Sequence, residues 1–431
     1  MQTTILWYRP CGGLISPFMF SELFKSRARL QILRDGPGGL LLEGFAQCLS
    51  EAGYATITAR KHLRAAEHFI HFINWNDRRS APERTLNKQS LARFERHLSR
   101  CQCQGYSHAS PQQVVHGVHL FLIHLRDAGI INLPWAPNHD PALLSAFCQW
   151  MRQQRGISDV TLSTYSIYIR ELLRRVGDQP SRFNTRRLRE FVLEKSRSWG
   201  RGAAKNCTTA VRMFLRFLIA EGQCAVGLDA AIPALAHWRL ASLPRYLPPE
   251  DVERLIASCD RASAVGRRDR AILLLLARVG LRAGDIVRVR LSDVDWKTAS
   301  IQVCGKGRRH TRLPLTREVG QAIVAYLKKG RPRTHADTLF IRCRAPFCAF
   351  KGPAAISDLV DKALRRAGVV RPSRGAAHLL RHSLATSMLR QGASLEDIGA
   401  VLRHSSAETT QIYAKVDIPT LRKIAQPWPE V

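Results

Sequence analysis

Two stretches in the first half of the chain repeat one ordered pattern, and this limits the fold more than any other feature. "LLEGFAQCLSEAGYATITARKHLRAAEHFIHFI" begins at Leu41 and "LLSAFCQWMRQQRGISDVTLSTYSIYIRELLRRV" at Leu143. Both open Leu-Leu-x-x-Phe, pass a glycine (Gly53, Gly156) and reach a threonine five residues later (Thr58, Thr161) that opens an amphipathic helix. The order continues: "SLARFERHL" resembles "RLREFVLEK", and "FLIHLRDAG" (Phe121 to Gly129) resembles "FLRFLIAEG" (Phe214 to Gly222). Helical periodicity repeated in this way predicts two tandem bundles of about four helices each. "NLPWAPNHDP" (Asn132 to Pro141) is the expected linker between them.

A second linker runs through "AHWRLASLPRYLPPEDVERLIASCD", where Pro248 and Pro249 followed by Glu250 and Asp251 make a strong helix start. Beyond it, "RRDRAILLLLARVG" reads as a buried helix and "SIQVCGKGRRHTRLPL" as a β-hairpin with its tip at Lys306. "TLFI" reads as a further short strand, and the chain from about Ala354 as helical. The expected fold class is mainly α with a small β-sheet.

Charge narrows the function. The chain carries 66 Lys+Arg against 34 Asp+Glu, a net +32. Up to Pro244 there are 32 basic and 17 acidic residues, and from Arg245 on 34 and 17, so the two parts carry +15 and +17. An excess spread this evenly is no tail. It fits two regions lying along one polyanion, with counterion release driving affinity. The eleven cysteines include no C-x-x-C pair; "CQC" at Cys101 to Cys103 and the pair Cys343 and Cys348 are the close ones. That pattern predicts reduced thiols in a cytoplasm and no structural zinc. The apolar N-terminal stretch is interrupted by Arg9 and Pro10, and no apolar run has the length of a membrane span. No membrane partner is expected.

The residues suited to chemistry lie in the second half. Arg282, in "GLRAGDIVRVRLSDVD", opens a helix, and Asp285 three residues on can hold or orient it. Lys306 sits at the hairpin tip. "HLLRHS" puts His378 and Arg381 one turn apart, and His404 and Tyr413 follow in "LRHSSAETTQIYAKV". Two arginines, a lysine, two histidines and a tyrosine can break a phosphodiester without a metal. Guanidinium forks bind the non-bridging oxygens, a lysine can protonate the departing oxygen, and a tyrosine can attack once a positive field lowers its pKa from about 10.

The ordered set "GLRAGD", "GKG", "HLLRHS", "LRHSS" and "TTQIYAKV" resembles the tyrosine site-specific recombinases of the phage integrase family. The likeness is strong from Leu247 to Pro429 and weaker from Asp140 to Gly222, which resembles the family's core-binding domain. It implies a core-binding domain over 138–224 and a catalytic domain over 245–431, while the internal repeat alone accounts for an N-terminal helical bundle over 1–131, as a duplicate of the core-binding domain. It also implies that Arg282 and Arg381 clamp the scissile phosphate and that Lys306 is the general acid. His378 would assist proton transfer, His404 would hydrogen-bond the phosphate, and Tyr413 would attack to form a 3′-phosphotyrosine. The implied partner is double-stranded DNA, bound by a homo- or hetero-tetramer on paired sites. No cofactor, metal or ATP is implied. The segment "IPTLRKIAQPWP", with Leu421 and Ile424 on its apolar side, would dock on a neighbouring protomer. Two positions depart from the family pattern: Arg403 stands where glycine is common, and Asp285 where glutamate is.

Other readings stay open on the sequence. A type IB topoisomerase or a hairpin-forming resolvase uses the same chemistry, and a silent relative would bind DNA without a covalent adduct. His378 and His382 have H-x-x-x-H spacing and could hold zinc with His404, as in a metal-dependent nuclease, but Arg381 between them opposes a dication. His382 and Ser383 are expected to be structural neighbours only.

Overall fold

A computed structural model describes residues 19–76, 88–103, 105–106, 110–131, 141–234, 243–304, 310–372, 375–404, 406–416 and 421–422. The chain divides into two compact units, one formed by Met1–Leu133 with Leu243–Val431 and the other by Pro134–Ser242. The hairpin tip with Lys306, the first linker from 132 to 140, and Ile424 lie outside the described residues.

The first unit opens with helices α1 (Met19–Leu23), α2 (Arg27–Asp35), α3 (Gly39–Glu51), α4 (Thr56–Asn76), α5 (Lys88–Leu98) and α6 (Pro111–Asp127). In α4, Ala59, Leu63, Ala66, Ile70 and Ile73 are buried at steps of three and four, the spacing that lines one helical face. That face meets a phenylalanine core. Phe45 packs edge-on against Phe121 at 5.3 Å, and Phe69 against Phe94 at 5.2 Å. Burying each such ring contributes roughly 2–3 kcal/mol before entropy is counted. The α3–α4 turn also meets a loop from the far end of the sequence. Gly53 takes φ 80°, and a Cβ there would lie 2.2 Å from the Phe347 ring. The Phe347 N–H donates to the Ala52 carbonyl at 2.9 Å.

The second unit contains α7 (Ala142–Arg155), α8 (Asp159–Val176), α9 (Thr185–Ser198) and α10 (Arg201–Ala220). Its core is built on Phe147, Ile169, Leu172, Phe191, Phe214 and Leu218, with Phe147 edge-on to Phe214 at 5.4 Å. Outside the core it is basic: residues 134–242 hold 16 Lys+Arg and 8 Asp+Glu, a net +8. The matched threonines are not the helix caps. Thr58 and Thr161 are the third residues of α4 and α8. Ser158 caps α8, its hydroxyl accepting from the Thr161 N–H at 3.4 Å. An earlier hydroxyl with extended backbone takes the capping position instead.

The rest of the first unit runs α11 (Pro249–Ala257), α12 (Ala264–Arg278), α13 (Ala283–Arg288), β1 (Val294–Asp295), β2 (Ser300–Cys304), β3 (His310–Pro314), α14 (Arg317–Lys329), α15 (Pro353–Arg366), α16 (Ala376–Arg390) and α17 (Leu395–Leu402). Two short 3₁₀ turns, Ala407–Thr409 and Gln411–Val416, follow. The fold is mainly α with a small sheet, as expected. The leucine run of α12 is buried on every side, and the sheet order is β1-β2-β3, all antiparallel. Ile301 pairs with Leu313, and both face the core.

"TLFI" is not a ladder strand. Thr338 and Ile341 make isolated bridges to Arg290 and Ala349, and β1 supplies the third strand. Leu339, Phe340 and Ile341 are all buried, so the run fills the core rather than alternating between core and solvent.

Candidate active site

Arg282 is the N-cap of α13, with extended backbone at φ −80° and ψ 152°. Asp285 does hold it, though by the backbone: its Oδ2 accepts from the Arg282 N–H at 3.1 Å. The guanidinium turns the other way and donates to the carbonyls of Arg403 at 3.0 Å and Leu402 at 3.4 Å, at the end of α17. Arg381, from the middle of α16, donates to the same Leu402 carbonyl and to that of Gly280. Gly280 takes φ 66°, and a Cβ there would sit 2.9 Å from Leu402 and 3.0 Å from Leu384, so the close approach behind Arg381 requires glycine.

Arg403 occupies the left-handed region, φ 52° and ψ 53°, as the residue closing α17. This is a glycine-favouring conformation, and a side chain there costs about 1–2 kcal/mol. The side chain folds inward, only 7% exposed, and binds Asp285 Oδ2 at 2.8 Å. Its Nε and Nη1 are buried without a hydrogen-bond partner. Asp285, 2% exposed, also pairs with Arg288 at 3.1 Å. Arg282, Arg381 and Arg403 thus bring three positive charges together, and the carboxylate that the Arg403 side chain binds, Asp285, is shared with a fourth arginine, Arg288. Burial, then Arg282 and Arg403, push the Arg381 pKa down to about 9. Burial and the Arg403 charge lower Arg282 as well. In both, burial is the larger cause and the neighbouring guanidinium charges the smaller.

Tyr413 lies against this cluster and is buried in a small group with Ala385, Ile398 and Leu402. Its hydroxyl is 2.8 Å from His382 Nδ1. Burial pushes the phenol up to about 12, and Arg381 offsets only part of that. The expected depression of the tyrosine pKa is therefore absent here, because loss of water outweighs one neighbouring guanidinium. Burial, His378 and Arg381 hold His382 down to about 4, so at neutral pH a neutral imidazole faces a protonated phenol.

His404 Nδ1 is 2.8 Å from the Thr410 hydroxyl, and burial with Arg381 and Arg282 holds it down to about 4. His378 is solvent-exposed one turn before Arg381. Crowding by protein, then Arg381 and Arg282, lower its pKa.

The structure thus brings Arg282, Asp285, Arg381, His404 and Tyr413 together, with His378 at the rim. Lys306 lies outside the described residues. Sequence reasoning missed two contacts. His382, expected only to pack, holds the tyrosine hydroxyl; its place next to Arg381 was the available signal. Thr410, which holds His404, gave none. Ser383 is structural as expected, accepting from the Leu247 N–H at 2.8 Å and donating to the Leu379 carbonyl at 2.9 Å.

Residues 245–418 match the phage integrase family. A chain of Sinorhizobium fredii bearing the name integrase/recombinase y4rA is 35% identical over 403 residues, covering 92% of this chain and 95% of its own length. The chain belongs to the phage integrase family of tyrosine recombinases. The tyrosine recombinase XerD of Lacticaseibacillus casei is 28% identical, covering 63% of this chain and 92% of that one. A crystal structure of the XerH site-specific recombinase bound to palindromic difH substrate shares the fold, with TM-score 0.52, 17% identity, and coverage of 77% of this chain and 93% of that one. Membership makes this a protein of the recombinase and integrase class. Among the described residues no helix is long and apolar enough to cross a membrane.

Proposed function

We propose that this chain is a site-specific DNA strand transferase that cuts and rejoins duplex DNA through a 3′-phosphotyrosine on Tyr413. The observation that carries the reading is three guanidinium groups gathered beside a buried tyrosine with too little carboxylate to balance them. A scissile phosphate supplies the missing charge. Arg282 and Arg381 hold its non-bridging oxygens and stabilise the pentacoordinate transition state. His404 donates to the phosphate, His378 assists proton transfer, and Lys306 protonates the departing 5′ oxygen. The P–O bond to the 5′ oxygen breaks as the bond to the tyrosine oxygen forms. A 5′ hydroxyl of a partner strand reverses the exchange, so neither ATP nor a metal enters.

Tyr413 is bonded to His382 and closed off from solvent, so attack requires the 3₁₀ segment to move. The net +8 of residues 134–242 supplies phosphate contacts away from the reacting bond. Exchange between two duplexes needs four active sites, which makes a tetramer of this chain, or with related chains, the working assembly.

The test is covalent trapping on nicked duplexes taken from DNA flanking the gene, without added divalent metal or ATP. Wild type gives a slow band on denaturing gels, and Tyr413→Phe gives none while still binding. The buried tyrosine favours one other reading, a DNA-binding relative without strand transfer. Intact binding on a verified site with no adduct from the wild type would establish that reading instead. Relaxation of one duplex without exchange between two sites would point to topoisomerase behaviour.

A further inference from the structure

We propose that His68, His97, Cys101 and Cys103 form a structural zinc site in the first helical bundle, far in sequence from the catalytic residues. His68 lies on α4, His97 in the last turn of α5, and the two cysteines in the loop that follows. The ligand atoms all lie within 4.8 Å of one another. Cys101 Sγ is 3.5 Å from His68 Nε2, and Cys103 Sγ is 3.5 Å from His97 Nε2. A tetrahedral zinc with bonds of about 2.3 Å to sulfur and about 2.0 Å to nitrogen needs sulfur–nitrogen edges of about 3.6 Å. Both pairs already have that spacing, so binding requires closure only along the other edges.

The surroundings suit a structural ion rather than a catalytic one. Four protein ligands fill a tetrahedron and leave no open position. His68 is buried, stacked by Tyr106 at 4.3 Å and met edge-on by Phe94 at 5.0 Å, which fixes its ring. The Cys103 N–H donates to Cys101 Sγ at 3.4 Å, which ties the two cysteines into one turn. Two thiolates neutralise one divalent cation, so the site adds no charge to a strongly basic chain. Two soft thiolates and two imidazoles in this geometry select zinc over magnesium or calcium. The ion would staple the end of α5 and its following loop to α4. The sequence hid the site because its ligands are spaced H-x₃-C-x-C, with the fourth on another helix.

The test uses the untagged full chain, purified under reducing conditions from zinc-supplemented medium, since a polyhistidine tag would itself bind metal. Elemental analysis should find about one zinc per chain in the wild type. The double variant Cys101→Ser/Cys103→Ser should retain less than about a tenth of that. Cobalt loaded into the wild type should give the intense visible absorption of a tetrahedral thiolate site, absent from the double variant. A strong chelator should lower the melting temperature of the wild type. A wild type that takes up neither ion, a double variant that keeps the cobalt spectrum, or an intact mass showing a Cys101–Cys103 disulfide under the same reducing conditions would overturn the proposal. Because the readouts are metal content and absorption, failure of the strand-transfer reading leaves this result unaffected.

Discussion

The two halves of the candidate site are built differently. The arginine grip grows from the large core. Leu281, Ala283 and Ile286 anchor α13, and Leu379 and Leu380 anchor α16 just before Arg381. The Arg282 and Arg381 guanidiniums are fixed by main-chain carbonyls. The segment that carries Tyr413 is two short 3₁₀ turns, packed on Ala385, Ile398 and Leu402 outside the large core, with side-chain bonds to His382 and His404. A grip must be preorganised to stabilise a transition state. On the proposed function Tyr413 must leave its pocket to attack, and short turns outside the large core open at lower cost than core helices.

Tyr413→Phe separates the halves most sharply. Adduct formation should vanish while non-covalent affinity stays within about two-fold, since the phenol adds no phosphate contact. A residual adduct would mean that the nucleophile lies elsewhere. Arg381→Ala comes next. Losing a fork that acts in the transition state should slow adduct formation by about 10²–10³-fold, with a smaller effect on binding. Equal loss in binding and rate, read by single-turnover kinetics, would show that the grip acts on the ground state.

Arg403→Gly tests the joint between the halves. Breaking a buried ion pair costs about 3–5 kcal/mol. Relieving a left-handed non-glycine residue returns about 1–2 kcal/mol. Net destabilisation of about 2 kcal/mol in denaturant titration is the expected outcome. A gain in stability would show that Asp285 is satisfied by Arg288 and the Arg282 N–H alone.

Acidification should give the smallest effect. His382 and His404 are held from their ordinary value near 6.5 down to about 4. Between those values the unfolded chain binds more protons than the folded one, so stability falls as pH drops through that window. Both rings bond the nucleophile segment. Protection factors over residues 406–416, referenced to intrinsic exchange at each pH, should therefore fall a few-fold from about pH 7 to about pH 5, while those of α13 and the middle of α16 hold. Uniform loosening of all three would erase the contrast.

Much of this architecture was readable in the residues. The leucine run of α12, the two strands of the hairpin that hold Ile301 and Leu313, and the helical first half follow from periodicity. The ordered motifs around Arg282, Arg381, His404 and Tyr413 pointed to one site. The failures share a cause. "TLFI" was judged by its apolar content, but strands need a long enough neighbour. Thr58 and Thr161 lie inside α4 and α8 rather than opening them, because residue type alone does not give the backbone angles that mark a helix start. The place of His382 next to Arg381 puts it near the site, but that its ring meets the Tyr413 hydroxyl depends on the fold.

The sequence by itself determined the helices, the small sheet, the excess of positive charge and the family. These depend on local periodicity, composition and motif order, which the linear chain carries. Only the tertiary structure decided that Arg403 turns inward to Asp285, that burial raises Tyr413 where a positive field was expected to lower it, and that two histidines and two cysteines from α4, α5 and the loop beyond converge. Each depends on distances and on exclusion of water between residues remote in the chain, which spacing along a sequence does not encode.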